Sequence, residues 1–156
     1  AYEMIAEVLG IGSTVYCELV NPHFYHLDTC FCPLGGAAAL YYPRAFSRAS
    51  QQEIEGRLDV LVVPDDEAHR FACNAVVLGR NVLLPQGCPA TEKLLAQRGF
   101  VPRTCEMSEF IKAGGACKCL TLALDTAGPP KPSEDVPLLA FQASSDEMDG
   151  EGASRV

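Results

Sequence analysis

The chain has 156 residues, 48% of them hydrophobic and 21% charged, a composition expected of a soluble globular domain large enough to bury a core. Its net charge of -8 is uneven: residues 129–156 hold six acids and two bases, so half of the excess sits in that terminal stretch. Neither part carries a basic stripe, and no apolar run approaches the roughly 18 residues of a membrane helix, which excludes nucleic-acid and membrane binding from the expected partners.

The opening Ala1-Tyr2-Glu3-Met4-Ile5 has no basic n-region and reads as the middle of a helix, so the chain is expected to begin inside a larger protein. Residues 1–20 predict a helix, a turn at Gly10 to Gly12 and a strand from Val15 to Val20. An internal repeat follows. Apolar runs at Cys30–Leu34 and Ala39–Pro43 are joined by Gly35-Gly36, and runs at Cys73–Leu78 and Val82–Pro85 by Gly79-Arg80-Asn81, both good hairpin sequences. The two hairpins are offset by about 42 residues.

A helix is expected after each hairpin. Ser50 with Glu53 fits a capping box leading into Ile54 and Leu58, while Pro89 suits a first turn and Gly99 a helix end. Strands at Asp59–Pro64 and Phe100–Thr104 complete two strand-strand-helix-strand units, and Cys119–Leu124 predicts a strand opening another. Mixed repeats near 40 residues point to an α/β ring or propeller, of which about two and a half units are present. From Gly128 onward the Pro, Ser, Asp and Glu content predicts a disordered acidic tail over 128–156, with Val136–Phe141 as a candidate docking segment.

The eight cysteines form no CxxC and no zinc spacing, and without an export signal they are expected to be reduced thiols in the cytoplasm. Two segments carry candidate chemistry. In Phe24–Leu34, strand alternation would put His26 and Asp28 on one face as an acid/base pair, although taken alone His26 reads first as a structural histidine and Asp28 equally as a capping or turn residue. In Met107–Leu122, Gly114-Gly115 precedes Cys117 and Cys119, with Lys118 between them; an inert buried cysteine is the alternative to a reactive one.

Together these segments resemble the arginine deiminase and amidinotransferase superfamily, the pentein fold, over about residues 10–125. The paired motifs carry the resemblance, with Phe71–Ala75 a further similar stretch, and it is closest to arginine deiminase-like, arginine dihydrolase-like and dimethylargininase-related members. The resemblance implies residues 1–127 as the C-terminal part of a catalytic domain made of five units. It implies Cys119 as nucleophile, His26 as proton carrier and Asp28 as guanidinium-binding carboxylate, with no metal or organic cofactor. Cys117 is a rival nucleophile, but the family's Cys-hydrophobic-Ser/Thr pattern matches Cys119-Leu120-Thr121.

The implied function is hydrolysis of a guanidino C–N bond in arginine or a derivative, dimethylarginine included. Asp28 leans toward unmethylated substrates, because dimethylargininases commonly lack an acid there. The alternatives are amidino transfer and a noncatalytic truncated paralogue. The family draws further acids and arginines from its N-terminal half, so completion by that half, or self-association, is expected.

Overall fold

The computed structural model describes residues 2–12, 14–122 and 138–143. Helix α1 spans Tyr2–Val8, and strand β1, Thr14–Leu19, alternates inward Val15, Cys17 and Leu19 with outward Tyr16 and Glu18. This period of two is that of a half-buried strand. The next regular strands are β2, Phe31–Gly35, and β3, Ala38–Tyr41, an antiparallel hairpin turning on Gly35 and Gly36 at φ 98° and 57°. Consecutive positive φ values are costly for any residue bearing a Cβ, which is why glycines stand there.

Helix α2, Arg48–Glu55, is capped by Ser47, whose hydroxyl accepts from the Ser50 N–H. The helix expected to start at Ser50 therefore starts three residues earlier, with Ser47 as its N-cap and no capping box. Ser50 instead turns inward, where its Oγ accepts from the Glu18 N–H at 2.8 Å and ties the helix to β1. Strand β4, Asp59–Val62, then lies parallel to β3.

The second unit repeats this topology. A short helix α3, Asp65–Ala68, leads to β5, Val76–Leu78, and β6, Asn81–Pro85, an antiparallel pair. Helix α4, Pro89–Gln97, follows with Pro89 in its first turn, and β7, Val101–Cys105, runs parallel to β6. Each unit is thus a three-stranded sheet whose first pair is antiparallel and second parallel, with a helix as the crossover. The mixed α/β class and the strand-strand-helix-strand unit agree with the sequence reading.

Three expectations are corrected. The His26–Asp28 stretch is not a strand: His26 is extended, but Leu27–Thr29 is a 3-10 turn, closed by the Thr29 N–H and hydroxyl on the His26 carbonyl at 3.1 and 2.6 Å. The threonine hydroxyl offers the backbone a local partner that competes with a strand ladder. Likewise Cys119–Leu124 shows no strand in its described part; residues 117–120 form a turn, held by the Thr121 N–H on the Lys118 carbonyl, after α5, Ser108–Ile111. Finally, within the acidic tail expected to be disordered, Leu138–Ala143 forms β8, parallel to β1 from Thr14 opposite Leu138 to Leu19 opposite Ala143. That strand overlaps the candidate docking segment Val136–Phe141; an open edge of β1 is a template for such pairing. The remainder of the expected tail lies outside the described residues.

The core runs through both units, with Leu40, Tyr41, Phe46, Ile54, Val82, Leu84 and Leu95 buried. One buried carboxyl group joins α4 to it. Glu67, 3% exposed, accepts from the N–H groups of Ala90 and Thr91 at 2.7 and 2.8 Å and from the Thr91 hydroxyl at 2.6 Å. Helix α4 has no capping side chain of its own at Cys88, so Glu67 satisfies its first N–H groups and meets the positive end of its dipole. Glu67→Gln removes the charge and turns one acceptor into a donor, at an expected cost of about 2–3 kcal/mol. Thermal unfolding followed by circular dichroism should show the melting temperature of the variant several degrees below that of the parent; equal values would exclude the cap.

Candidate active site

The site is assembled from three segments distant in sequence. Phe71 is the one non-glycine residue with positive φ among the described residues, at 59°. It is buried, stacked on His23 with ring centroids 5.2 Å apart and edge-on to Phe24, packing that holds a backbone conformation L residues rarely take. The reversal at Phe71 delivers Asn74 into the interior with no exposed surface.

The Asn74 side chain bonds outward on both ends. Its Oδ1 accepts from the backbone N–H groups of Ala116 and Cys119 at 2.8 and 3.2 Å. Its Nδ2 lies 3.0 Å from the Asp28 carbonyl oxygen, 3.2 Å from Asp28 Oδ2 and 3.2 Å from Cys119 Sγ. Two backbone donors on one side and only acceptors on the other leave the amide a single orientation. The Asn74 carbonyl completes the clamp by accepting from the Lys118 N–H at 3.0 Å.

Cys119 is thereby set beside Asp28, with Sγ 3.5 Å from Oδ2. Both glycines of the preceding loop are needed there. Gly114, at φ 87°, passes under Tyr25, whose hydroxyl would stand 2.9 Å from an added Cβ. At Gly115 an added Cβ would stand 3.0 Å from both Cβ and Sγ of Cys119. The Gly-Gly pair thus makes room for the thiol as well as for the turn.

Asp28 also lines a cleft of ≈ 290 Å³. Asp28 and Lys118 supply its charges, and Phe31, Pro33, Ala75 and Val77 its apolar wall. Among the described residues, no group of three His, Cys, Asp or Glu side chains is placed to hold a metal ion.

No protein-family model matches the chain. It is 46% identical over 125 residues to an uncharacterized protein of Caenorhabditis elegans, covering 79% of this chain and 44% of that protein. It is 44% identical over 111 residues to ArgZ of Synechocystis, a bifunctional arginine dihydrolase/ornithine cyclodeaminase, covering 69% and 16% of the two. Against the N(G),N(G)-dimethylarginine dimethylaminohydrolase of Mycobacterium tuberculosis identity is 42% over 125 residues, 80% of this chain and 41% of that one. The cyanobacterial ArgZ N-terminal domain, solved with bound product, matches with a TM-score of 0.73 at 42% identity, over 78% of this chain and 45% of that one. The chain is a homologue of the guanidino-group hydrolases. It spans less than half the length of the curated relatives it matches.

A second solved form of the ArgZ domain is covalently bound to a reaction intermediate, with the same TM-score of 0.73 and 42% identity. The structure of the Pseudomonas aeruginosa enzyme DDAH, at 24% identity and a TM-score of 0.51, shares the fold. The resemblance read from the two motifs of this homologue is thus the right one.

Of the three residues singled out from sequence, the structure joins Asp28 and Cys119 directly. His26 lies two residues before Asp28, exposed, at the head of the 3-10 turn; its ring packs 4.6 Å from that of Tyr25 and makes no hydrogen bond to Cys119. Asn74 was not singled out, although one asparagine inside the run Cys73–Leu78 is a signal: a polar side chain so placed needs partners.

All eight cysteines are free, and exposure separates them. Only Cys119 is exposed; Cys105 is intermediate and the other six are buried. Burial pushes the Cys117 thiol up to about 11 and Cys32 likewise to about 11, because a thiolate loses its hydration there. At neutral pH Cys117 is therefore an uncharged thiol without access to solvent. Brief iodoacetamide treatment at neutral pH, read by peptide mass, should label Cys119 and leave Cys117 unmodified. In Gly115→Ala the methyl group crowds the sulfur, and labelling of Cys119 should slow by about tenfold, the equivalent of a modest overpacking cost. Faster labelling at Cys117 would reverse the assignment.

Proposed function

We propose that the chain carries the cysteine side of a hydrolase of guanidino C–N bonds, acting on arginine or a close derivative. The single observation behind this reading is the exposed Cys119 sulfur held 3.5 Å from the Asp28 carboxylate. A guanidinium bound to that carboxylate through charge-assisted N–H bonds brings its carbon beside the sulfur.

In the proposed reaction, the Cys119 thiolate attacks the guanidinium carbon and forms a C–S bond. The C–N bond to the departing amine breaks as His26 gives that nitrogen a proton. His26, now neutral, takes a proton from water, whose oxygen attacks the same carbon. The C–S bond then breaks, releasing a ureido product and restoring the thiolate. His26 is suited to this duty by its exposed place two residues before Asp28, its ring packed beside that of Tyr25.

Asp28 favours unmethylated guanidinium groups, since each methyl group removes an N–H donor from the contact. Asp28→Ala, in a protein carrying the complementary part of the ring, is expected to lower arginine kcat/KM by about one to two decades, the worth of a charge-assisted bond. A chloroacetamidine probe should modify Cys119 in the same protein. Preference of the wild type for asymmetric dimethylarginine over arginine would count against the role given to Asp28.

The site is open on one side. Leu120 and Leu122, directly after the nucleophile, are 56% and 81% exposed, and Tyr25 and Phe110 are also exposed beside the loop. We infer that a further part of an α/β ring of five units covers this side and supplies the remaining substrate-binding groups. The 156 residues produced alone are expected to self-associate and to release no ammonia from arginine. Size-exclusion chromatography with light scattering and an ammonia assay check this; a cooperative, active monomer would contradict it.

A further inference from the structure

We propose that Asn74 is a positioning residue that holds Cys119 in place through its oxygen and stabilises the thiolate through its nitrogen. This rests on the reading of Cys119 as the nucleophile, and it assigns a task to a residue outside the acid, base and nucleophile of that reading.

The two ends of the amide do different things. Oδ1 gathers the N–H groups of Ala116 and Cys119, which fixes the turn that presents the sulfur. Nδ2 has two hydrogens and three acceptors within 3.2 Å: the Asp28 carbonyl, Asp28 Oδ2 and Cys119 Sγ. In the thiol state, S–H can donate to Asp28 Oδ2 while Nδ2 serves the two Asp28 oxygens. In the thiolate state, sulfur becomes an acceptor, and one N–H turns to it from Oδ2. Asn74 therefore offsets the repulsion between the thiolate and the Asp28 carboxylate, and a cation arriving at Asp28 completes the compensation.

A buried amide suits this task. Asn74 has no exposed surface, so water does not compete for its N–H groups, and hydrogen bonds to a charged acceptor are the stronger kind. The other charged or polar side chains of the segments that meet here are the Asp28 carboxylate, 3.5 Å from the sulfur, Lys118 next to Cys119 in the chain, His26 two residues before Asp28, and Tyr25, whose hydroxyl lies over Gly114. None of them hydrogen-bonds to Sγ as a donor among the described residues; Asn74 does.

The test is the pH dependence of Cys119 alkylation by iodoacetamide in the full chain, read by peptide mass, together with melting temperature. Asn74→Asp keeps an oxygen for the loop N–H groups but has no N–H for sulfur. Asn74→Ala removes both without adding charge. Both variants should raise the alkylation midpoint by about one pH unit, about tenfold in rate below it. Both should also lose several degrees of melting temperature, since each leaves partners of the buried amide unpaired. A merely structural role would lower the melting temperature and leave both midpoints at the wild-type value, and that result overturns the proposal.

Should the variants fail to fold, the wild type decides. The Asn74 side-chain amide resonances should titrate with the same midpoint as Cys119 alkylation; flat resonances overturn the proposal. Ammonia release from arginine is scored separately in the ring-complete protein. Its absence there, with the midpoints shifted as expected, would refute hydrolysis while supporting the task given to Asn74.

Discussion

One buried amide holds the chemistry of this molecule together. Asn74 bonds to Asp28, 46 residues away, and to Ala116 and Cys119, 42 and 45 residues away, so three otherwise separate loops share a single anchor. A polar side chain taken out of water must recover its hydrogen bonds inside, and leaving either end unpaired costs about 1–3 kcal/mol. The geometry of the site is thus coupled to burial: the Cys119 turn, the Asp28 carboxylate and the second unit cannot drift apart without stranding that amide.

The surrounding scaffold serves this anchor. The positive φ of Phe71, stabilised by stacking against His23, bends the chain so that Asn74 points inward, before β5 takes it back to the sheet. Just upstream, Glu67 fastens the same segment to the first turn of α4. From the opposite side, Gly114 and Gly115 let the loop pass between Tyr25 and the sulfur with no Cβ in the way. Strain and close approach concentrate around the thiol, where fixed geometry is most useful.

Partial length and an exposed Cys119 belong to the same picture. The relatives are more than twice as long as the portion matched here, and the structure leaves Leu120 and Leu122 in solvent immediately after Cys119. Those leucines continue the apolar alternation that led the sequence to predict a strand. A strand needs a hydrogen-bonded neighbour as well as the right residues, and among the described residues none lies beside them.

Sequence periodicity alone determined the two hairpin-helix-strand units, because alternation, hairpin glycines and the Pro89 start are local properties that hold in any context. It also pointed to Asp28 and Cys119, through two motifs that carry the family resemblance. It misjudged the 3-10 turn at Leu27–Thr29, since the Thr29 hydroxyl outcompeted a strand ladder that the apolar pattern had favoured. The tail strand Leu138–Ala143 depends on a free edge of β1, a partner more than a hundred residues away that composition cannot register. Asn74 is the clearest case of the tertiary structure deciding. In sequence it is one polar residue in an apolar run; only folding reveals that its five polar contacts reach two distant loops, because partners that far apart along the chain are chosen by packing.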